Sequence, residues 1–271
     1  MKILYAASEA LPFAASGGLA DVAGSLPAAL TKEGAECRVV LPLYGQISED
    51  LKSRMKYVTS FHVPLAWRSQ YCGLFEAEAG GIRYYLLDNE YYFKRRGLYG
   101  FFDDAERFAF FSRAVLEMLH HIDFKPEIIH CNDWQTALIP AYLDVFYRQS
   151  EKHRDIRTVF TIHNIQYQGK YGPELVENVL GIPKSDYPIL EYDDCVNMVK
   201  GAIETANQIT TVSPTYAKEI LDPWYSHGLD GILRQRAWKL CGILNGIHRE
   251  VWYLQGLKFA SREQDTAAGN V

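Results

Sequence analysis

Four short polar or glycine-rich motifs carry residue types that can bind and polarise a polar ligand. They are Ser16-Gly17-Gly18, the segment from His130 to Trp134 (HCNDW), His163-Asn164 and Asn245-Gly246. Each follows a run of residues that is typical of a buried β-strand. In open α/β sheets, ligands bind in the crevice beyond the carboxyl ends of the strands, so the four motifs together predict one shared cleft. Glycine, asparagine and aspartate also form ordinary turns, and for any single motif this alternative is the stronger one.

The glycine pair Gly17-Gly18 stands immediately before a helix that is predicted to begin near Leu19. Backbone N–H groups at the start of a helix attract phosphate or another anion, and glycine lets a ligand approach the backbone closely. The pair matches neither G-x-G-x-x-G nor a Walker motif, so a dinucleotide site or an ATP P-loop is not indicated. Asp21, in the first helical turn, can interact favourably with the helix dipole or accept hydrogen bonds from sugar hydroxyls.

The other three motifs also allow both a structural and a functional interpretation. Asp133 is predicted to cap the following helix, and a capping carboxylate at a cleft edge can also meet a ligand. Trp134 belongs either to the core or to a surface that stacks on a sugar ring. His163 and Asn164 can bind hydroxyls or donate to a developing negative charge, although His163 can equally be a buried histidine bonded to backbone. Asn245-Gly246 is a strong turn signal by itself.

A metal site is not expected, because no His/Asp/Glu cluster has ligand spacing and the chain contains no Asp-x-Asp motif. The latter absence disfavours sugar transferases that hold their nucleotide through a divalent ion. A dense aromatic stretch could contact carbohydrate or pack beneath the helix that begins at Asp103, and the sequence does not separate these alternatives. Its members are Tyr91, Tyr92, Phe93, Tyr99, Phe101 and Phe102.

The bulk properties bound the class of protein. Hydrophobic residues make up 48% of the 271 residues, enough for a large core, and the formal net charge is -5 without a Lys/Arg block. We therefore expect no nucleic-acid partner. The 5 cysteines are widely spaced and form no C-x-x-C, which favours a reducing, cytoplasmic location over a disulfide framework or a zinc site. We find no run of about 18 apolar residues and expect no membrane association.

These motifs need elements to position them, and predicted strands alternate with predicted helices along the chain. Strands are predicted at Lys2 to Ala7, Arg38 to Leu41, Arg83 to Leu87, Glu127 to His130, Arg157 to Ile162, Gln208 to Val212 and Lys239 to Leu244, with an antiparallel excursion over Tyr57 to Ala79. Helices are predicted at Leu19 to Lys32, Asp103 to His121, Trp134 to Arg148, Cys195 to Thr205 and after Ser213-Pro214. This order predicts an α/β fold with a doubly wound, mostly parallel sheet.

The motifs and their order resemble bacterial glycogen synthases and plant starch synthases. The resemblance begins with MKILYAASEALPFAASGGLADVAGSLPAAL and continues through HCNDWQTALIPAYL, TIHNIQYQGKY, ITTVSPTYAKEI and GILNGI, spanning roughly residues 1 to 252. It implies the N-terminal half of an architecture with two Rossmann-like domains, the glycosyltransferase-B arrangement. It also implies transfer of glucose from ADP-glucose or UDP-glucose to the nonreducing end of an α-1,4-glucan, with retained anomeric configuration and no cofactor or metal.

The resemblance also implies roles for individual residues. His163, Asn164 and Asp21 would be catalytic, with His163 and Asn164 stabilising the glucosyl and diphosphate groups and Asp21 near the donor. The residues implied to bind donor or substrate are Ser16, Gly17, Gly18, Asp133, Trp134 and Asn245, with Gln168 and Tyr99 as peripheral candidates.

Two departures from the family pattern change the expectations. Ala15 stands where the family has a lysine that is expected to meet the donor phosphates, so only backbone N–H groups are left to bind the donor on this side. His248 replaces an acidic or amide residue, and the tail 253–271 resembles nothing expected and is predicted to be poorly ordered. We therefore expect a domain over 1–252 that lacks the donor-binding half, with little or no synthase activity by itself.

Three classes of function stay open at this point. The first is a synthase half that works when joined to a donor domain. The second is a noncatalytic glucan-binding or regulatory remnant, and the third is an unrelated Rossmann-like oxidoreductase, which the missing G-x-G-x-x-G disfavours. An exposed apolar face where a second domain would sit favours the first, and a polar face favours the second.

Overall fold

The computed structural model describes residues 1–246. Its strands are β1 (Lys2–Ala6), β2 (Glu36–Pro42), β3 (Lys56–Leu65), β4 (Arg68–Ala79), β5 (Ile82–Asp88), β6 (Ile128–Asn132), β7 (Arg157–Ile162), β8 (Lys170–Tyr171), β9 (Glu191–Tyr192), β10 (Cys195–Asn197), β11 (Gln208–Thr211) and β12 (Leu240–Gly242). The α-helices are α1 (Gly18–Lys32), α2 (Glu49–Ser53), α3 (Glu90–Phe93), α4 (Asp104–Glu117), α5 (Leu138–Tyr142), α6 (Met198–Thr205), α7 (Pro214–Glu219) and α8 (Asp230–Gln235).

Most of these strands form one nine-stranded sheet in the order β12-β11-β7-β6-β1-β2-β5-β4-β3. Neighbours from β12 to β5 pair in parallel, whereas β4 pairs antiparallel with both β5 and β3. The mostly parallel α/β fold that the strand–helix alternation predicts is therefore confirmed. The antiparallel excursion over Tyr57 to Ala79 is also confirmed as the β3–β4 hairpin.

The order of the strands reverses beside β1. After β1 the chain crosses to β2 and then β5 on one side, and it returns to β6, β7, β11 and β12 on the other side. Right-handed crossovers then place the connecting helices on opposite faces, and loops leaving β1 and β6 diverge to open a crevice. His130 to Trp134 covers the carboxyl end of β6, and Ser16-Gly17-Gly18 follows the carboxyl end of β1 after a loop that begins at Ala7, so the topology brings the first two motifs to the same edge of the sheet.

The core lies within this sheet and against its helices. Leu4, Val39, Ile129 and Phe160 are fully buried residues of the central strands, and such continuous apolar runs are typical of parallel strands covered on both faces. The α4 helix is buried on nearly all sides, and Phe108, Phe110 and Phe111 are fully buried within it. Among residues 1–246, no helix combines the length and the apolar character needed to cross a membrane.

Two predicted helices differ from the structure. The residues Cys195–Asn197 form β10, the central strand of a three-stranded sheet with β8 and β9, and the helix begins only at Met198. The Asn197 side chain caps this helix by accepting from the Lys200 N–H at 3.0 Å. The predicted helix from Trp134 to Arg148 is a succession of a 3-10 turn over Trp134–Thr136, α5 and a π-helical turn over Leu143–Tyr147.

The remaining boundaries agree within a few residues, as expected where helix and strand ends fray. The domain boundary predicted at residue 252 and the predicted disorder of 253–271 lie outside the described residues.

Candidate functional site

A cleft of about 820 Å³ opens at the carboxyl edge of the sheet, at the crevice beside β1 and β6. Of the sequence-predicted site residues, all but Asp21 and Gln168 line it. They are Ser16, Gly17, Gly18, Tyr99, Asp133, Trp134, His163, Asn164 and Asn245. Thus the four motifs, which are spread over most of the chain, do meet in one cavity.

Asp21 and Gln168 occupy other places. Asp21 is exposed in the first turn of α1, outside the lining of this cleft. Gln168 is only 4% exposed, and its Oε1 accepts from Asn197 Nδ2 at 2.7 Å while its Nε2 donates to the Ile165 and His227 carbonyls. Its side chain therefore braces the loop that carries Tyr167, beneath a smaller adjoining pocket that shares Trp134 and Tyr167 with the cleft.

Asp133 does not cap the helix that follows it, so that prediction is wrong. No hydrogen bond joins its side chain to that helix, and its Oδ1 instead accepts from the backbone N–H groups of His163, at 2.8 Å, and Asn164, at 3.4 Å. Its backbone has φ 56 and ψ -179, a conformation that residues other than glycine rarely adopt. The strained turn directs the Asp133 carboxylate towards the end of β7, where it links the motif that ends at Trp134 to the motif His163-Asn164.

His163 is held by a second side-chain contact across the same two strands. Its Nε2 lies 2.9 Å from Asn132 Oδ1, and the Tyr5 hydroxyl donates to the same oxygen at 2.9 Å. The partner of His163 is therefore a side-chain amide, whereas the sequence suggested backbone as the structural alternative. Burial lowers the pKa of His163 to about 4, so its imidazole is neutral near pH 7.

Glu9 is a cleft residue that the sequence analysis missed. It is 3% exposed, lines the cleft, and its Oε2 accepts from the backbone N–H and the hydroxyl of Ser16, both at 2.6 Å. It therefore holds the loop before Gly17 in place. The sequence did offer a signal for Glu9, because this carboxylate lies just beyond the end of the first strand and in the same motif block as the glycine pair.

The aromatic stretch divides between the two proposed roles. Tyr92 and Phe93 are fully buried and pack against Phe110, with ring centroids 4.9 and 6.0 Å away. Tyr99 lines the cleft and its hydroxyl lies 2.7 Å from that of Ser8, whereas Phe102 is 96% exposed. The stretch therefore supplies core on one side and cleft wall on the other.

Trp134 serves mainly as core. It is 9% exposed and packs edge-on against Phe108, with ring centroids 5.1 Å apart. Gly169, at φ +64, lies so close that a Cβ there would come within 2.8 Å of the indole. Only the small remaining exposed part of the ring reaches the cleft, which limits stacking on a sugar.

The charge of the cleft is negative. Glu9, Asp104 and Asp133 line it, and the residues of 1–246 that line it include no lysine or arginine. The negative charge of Asp104 is balanced by the fully buried Arg107, whose guanidinium donates to Asp104 Oδ1 at 2.5 Å. Burial raises the pKa of Asp133 to about 7, against the opposing effect of its two backbone donors. An anionic group of a ligand would therefore depend on backbone N–H groups here.

Acidification is expected to destabilise the fold through the two histidines at this edge of the sheet. Burial lowers the pKa of His130 to about 3, and the neighbouring His163 adds to this effect. Below the unfolded-state pKa of about 6.5, the unfolded chain binds these protons and the folded chain does not, so stability falls with pH. Protonation of Asp133, whose pKa is raised in the fold, stabilises the folded state as the pH falls. This gain offsets only part of the loss from the two histidines. From pH 6.5 to pH 5, these three groups together should lower the free energy of unfolding by about 1 kcal/mol in urea titrations.

The His130→Gln variant provides the control for this pH dependence. It removes one of the two depressed histidine pKa values and can keep a hydrogen bond to the Thr161 hydroxyl, which lies 2.6 Å from His130 Nε2. Its loss of stability over the same interval should be about 1 to 2 kcal/mol smaller than that of the unaltered chain, because one depressed histidine pKa is removed while those of His121, His153 and His163 remain. An unchanged slope would contradict the assignment to the histidines.

Comparisons with known proteins are in keeping with this site. The sequence model of the starch synthase catalytic domain family matches residues 2–235. The glycogen synthase of Desulforamulus reducens is 51% identical over 254 residues, which are 93% of this chain and 53% of that protein. That of Geobacillus stearothermophilus is 50% identical over 254 residues, or 93% of this chain and 52% of that protein. This chain therefore spans about half the length of the curated relatives it matches.

A solved structure is similar over the same extent. The catalytic domain of starch synthase IV from Arabidopsis thaliana, bound to ADP and acarbose, superposes with a TM-score of 0.85 and 32% identity. The match covers 92% of this chain and 52% of that chain.

Proposed function

Since the chain belongs to the starch synthase catalytic domain family, we propose that it is the N-terminal, acceptor-side half of a retaining glucosyltransferase. The donor is ADP-glucose or UDP-glucose, and the acceptor is the nonreducing end of an α-1,4-glucan. The observation that carries the proposal is the convergence of the four motifs on one cleft at the strand-order reversal. The family match also removes the grounds for an unrelated oxidoreductase.

We assign the chemistry to His163, Asn164 and Asp21. His163 and Asn164 stand at the end of β7, where both can meet the reacting sugar, and the backbone of each is held by the Asp133 carboxylate. Donor and acceptor binding is assigned to Ser16, Gly17, Gly18, Tyr99, Asp133, Trp134 and Asn245 in the cleft, with Gln168 as a brace behind it. The exposed position of Asp21 suits a contact that forms only when a second domain closes on the cleft. No metal or cofactor enters this proposal.

The proposed partner is a second, donor-binding α/β domain. Exposed apolar side chains near the cleft support it: Phe102 is 96%, Tyr167 60% and Leu244 73% exposed. A second domain that covered the cleft would remove these side chains from water. A cytoplasmic location belongs to the same proposal and is supported by the free cysteines Cys37, Cys72, Cys131, Cys195 and Cys241, which suit a reducing compartment.

The proposal is tested by transfer of radiolabelled glucose from ADP-glucose and UDP-glucose to a glycogen primer. The chain is assayed alone and then with a separately expressed donor domain from a related synthase. We expect activity only in the combination, and His163→Ala should lower it by at least about 100-fold, the usual cost of losing a group that stabilises the transition state. His62→Ala, in the β3–β4 hairpin on the far side of the sheet, is the matched control and should be unaffected.

The negative charge of the cleft favours a second candidate, a noncatalytic glucan-binding remnant. Without a lysine or arginine among the described lining residues, the cleft suits a neutral glucan better than a nucleotide diphosphate. Glycogen binding with an intact fold, but no transfer in either assay, would establish this candidate. Transfer by the chain alone would instead overturn the prediction that a donor domain is required.

A further inference from the structure

The orientation of the Asn132 amide at the end of β6 is determined by its surroundings. Asn132 is fully buried, and its Nδ2 lies 3.0 Å from the Ala6 carbonyl oxygen and 3.3 Å from that of His130. Two carbonyl oxygens can only accept hydrogen bonds, so the NH₂ group must face them. The amide oxygen Oδ1 then faces Tyr5 and His163, and the reversed orientation would oppose oxygen to oxygen on one side.

This orientation determines where the proton of His163 resides. An amide oxygen has no proton to donate, so the contact of 2.9 Å between Asn132 Oδ1 and His163 Nε2 requires a proton on Nε2. The Tyr5 hydroxyl, 2.9 Å from the same oxygen, must donate as well. Burial raises the pKa of Tyr5, so the hydroxyl keeps its proton. In the neutral imidazole, Nδ1 is then an acceptor, and within residues 1–246 it has no hydrogen-bond partner.

We propose that Asn132 is a positioning residue that holds the cleft residue His163 as the Nε2-protonated tautomer and leaves its Nδ1 as a hydrogen-bond acceptor. The significance of this role for glucose transfer rests on the proposed function, but the tautomer itself does not. Asn132 and Tyr5 lie on adjacent parallel strands, where Ala6 pairs with Cys131, so the backbone of the sheet sets the position of the amide. A tautomer fixed in this way needs no rearrangement when a ligand hydroxyl arrives.

The charged and titratable groups around His163 are compatible with a neutral ring. The Asp133 carboxylate accepts from the backbone N–H of His163 and does not contact the ring, while Glu9 is bonded to Ser16. His130 lies on β6, bonded to the Thr161 hydroxyl, and burial lowers its pKa to about 3, so it is neutral as well. The remaining facing group is the Tyr5 hydroxyl.

The test is long-range ¹H–¹⁵N NMR of the full chain labelled with ¹⁵N-histidine, which distinguishes Nε2–H from Nδ1–H. The His163 signals are assigned by their absence from the His163→Gln variant. We expect a single Nε2–H tautomer that persists from pH 8 to about pH 5. A mixture of tautomers, an Nδ1–H form, or protonation near pH 6.5 in the unaltered protein would overturn the proposal without any variant being made.

Substitutions then distinguish the effect of the Asn132 amide on the His163 tautomer from that of the neighbouring Tyr5 hydroxyl. Asn132→Ala removes the acceptor and should populate the Nδ1–H tautomer, whereas Tyr5→Phe keeps the amide and should leave a single Nε2–H tautomer. Asn132→Asp places a carboxylate beside the ring and should raise the pKa of His163 by about one to three pH units, the effect of an adjacent opposite charge. Unchanged His163 signals in folded Asn132→Ala would also overturn the proposal.

Failure of the proposed function gives a different result. If the unaltered chain shows the Nε2–H tautomer but no glucose transfer even with a donor domain, the tautomer assignment stands and the transferase proposal fails. If transfer occurs and Asn132→Ala shifts the tautomer, its kcat should fall with little change in KM, and Tyr5→Phe should have a smaller effect. An unchanged kcat despite the tautomer shift would remove Asn132 from its positioning role.

Discussion

Replacing Ala15 with lysine is expected to strengthen the binding of ADP to this chain by about tenfold or more at low salt. Ala15 is exposed and adjoins Ser16 at the lip of a cleft whose described lining carries Glu9 and Asp133 but no cation. An ammonium group about 4 Å from a phosphate contributes roughly 1 to 4 kcal/mol, depending on how far water screens the pair. Isothermal titration calorimetry with ADP measures the change directly.

The salt dependence and a neutral variant provide the controls for Ala15→Lys. The gain should shrink as ionic strength rises, because exposed charge pairs are screened over about 10 Å at 0.1 M salt. Ala15→Gln, which adds similar length without charge, should bind ADP about as weakly as the unaltered chain. If Ala15→Lys and Ala15→Gln bind equally, the cleft does not receive the diphosphate on this side, and the glucan-binding candidate is favoured.

Asp133→Ala is expected to lower the free energy of unfolding by about 2 to 3 kcal/mol, while Asp133→Gly costs much less. Both variants leave the backbone N–H groups of His163 and Asn164 without this acceptor, and a buried donor left unsatisfied costs about 1 to 3 kcal/mol. Alanine also retains the cost of φ 56, about 1 to 3 kcal/mol, which glycine relieves. Urea unfolding at pH 7 compares the two variants.

The order of the Asp133 variants distinguishes backbone strain from the lost hydrogen bonds. Asp133→Asn keeps an acceptor oxygen and should lie within about 1 kcal/mol of the unaltered protein. If alanine and glycine destabilise equally, the backbone at Asp133 is not strained. If asparagine is as destabilising as alanine, the negative charge itself matters more than the acceptor geometry.

The alternation of strands and helices was predictable because it depends on local periodicity. Runs such as Arg157–Ile162 and the amphipathic spacing of α4 identify their elements without knowledge of their partners. The errors occurred where tertiary contacts outweigh local propensity. Cys195–Asn197 is extended because β8 and β9 pair with it on both sides. Asp133 does not cap its helix because its carboxylate instead accepts from the backbone N–H of His163, just after β7.

The meeting of the motifs in a cleft was also predictable, since parallel strands present their carboxyl ends at one edge. The residues that support the site were not. Glu9 acts through Ser16, and Asn132 acts through His163 with Tyr5, whose hydroxyl reaches across a sequence separation of 127 residues. Nothing in the local pattern around Tyr5 distinguishes it from an ordinary core aromatic.

By itself, therefore, the sequence determined the elements, the class of sheet and the motifs at the strand ends, because each depends on neighbours along the chain. The tertiary structure alone decided that β6 lies beside β1, and with it that Asn132 meets Tyr5 and His163. It also decided that Asp133 spans from β6 to the end of β7, while Asp21 and Gln168 lie apart from the cleft lining. These contacts depend on strand order and register, which arise from packing the whole core and not from any local run of residues.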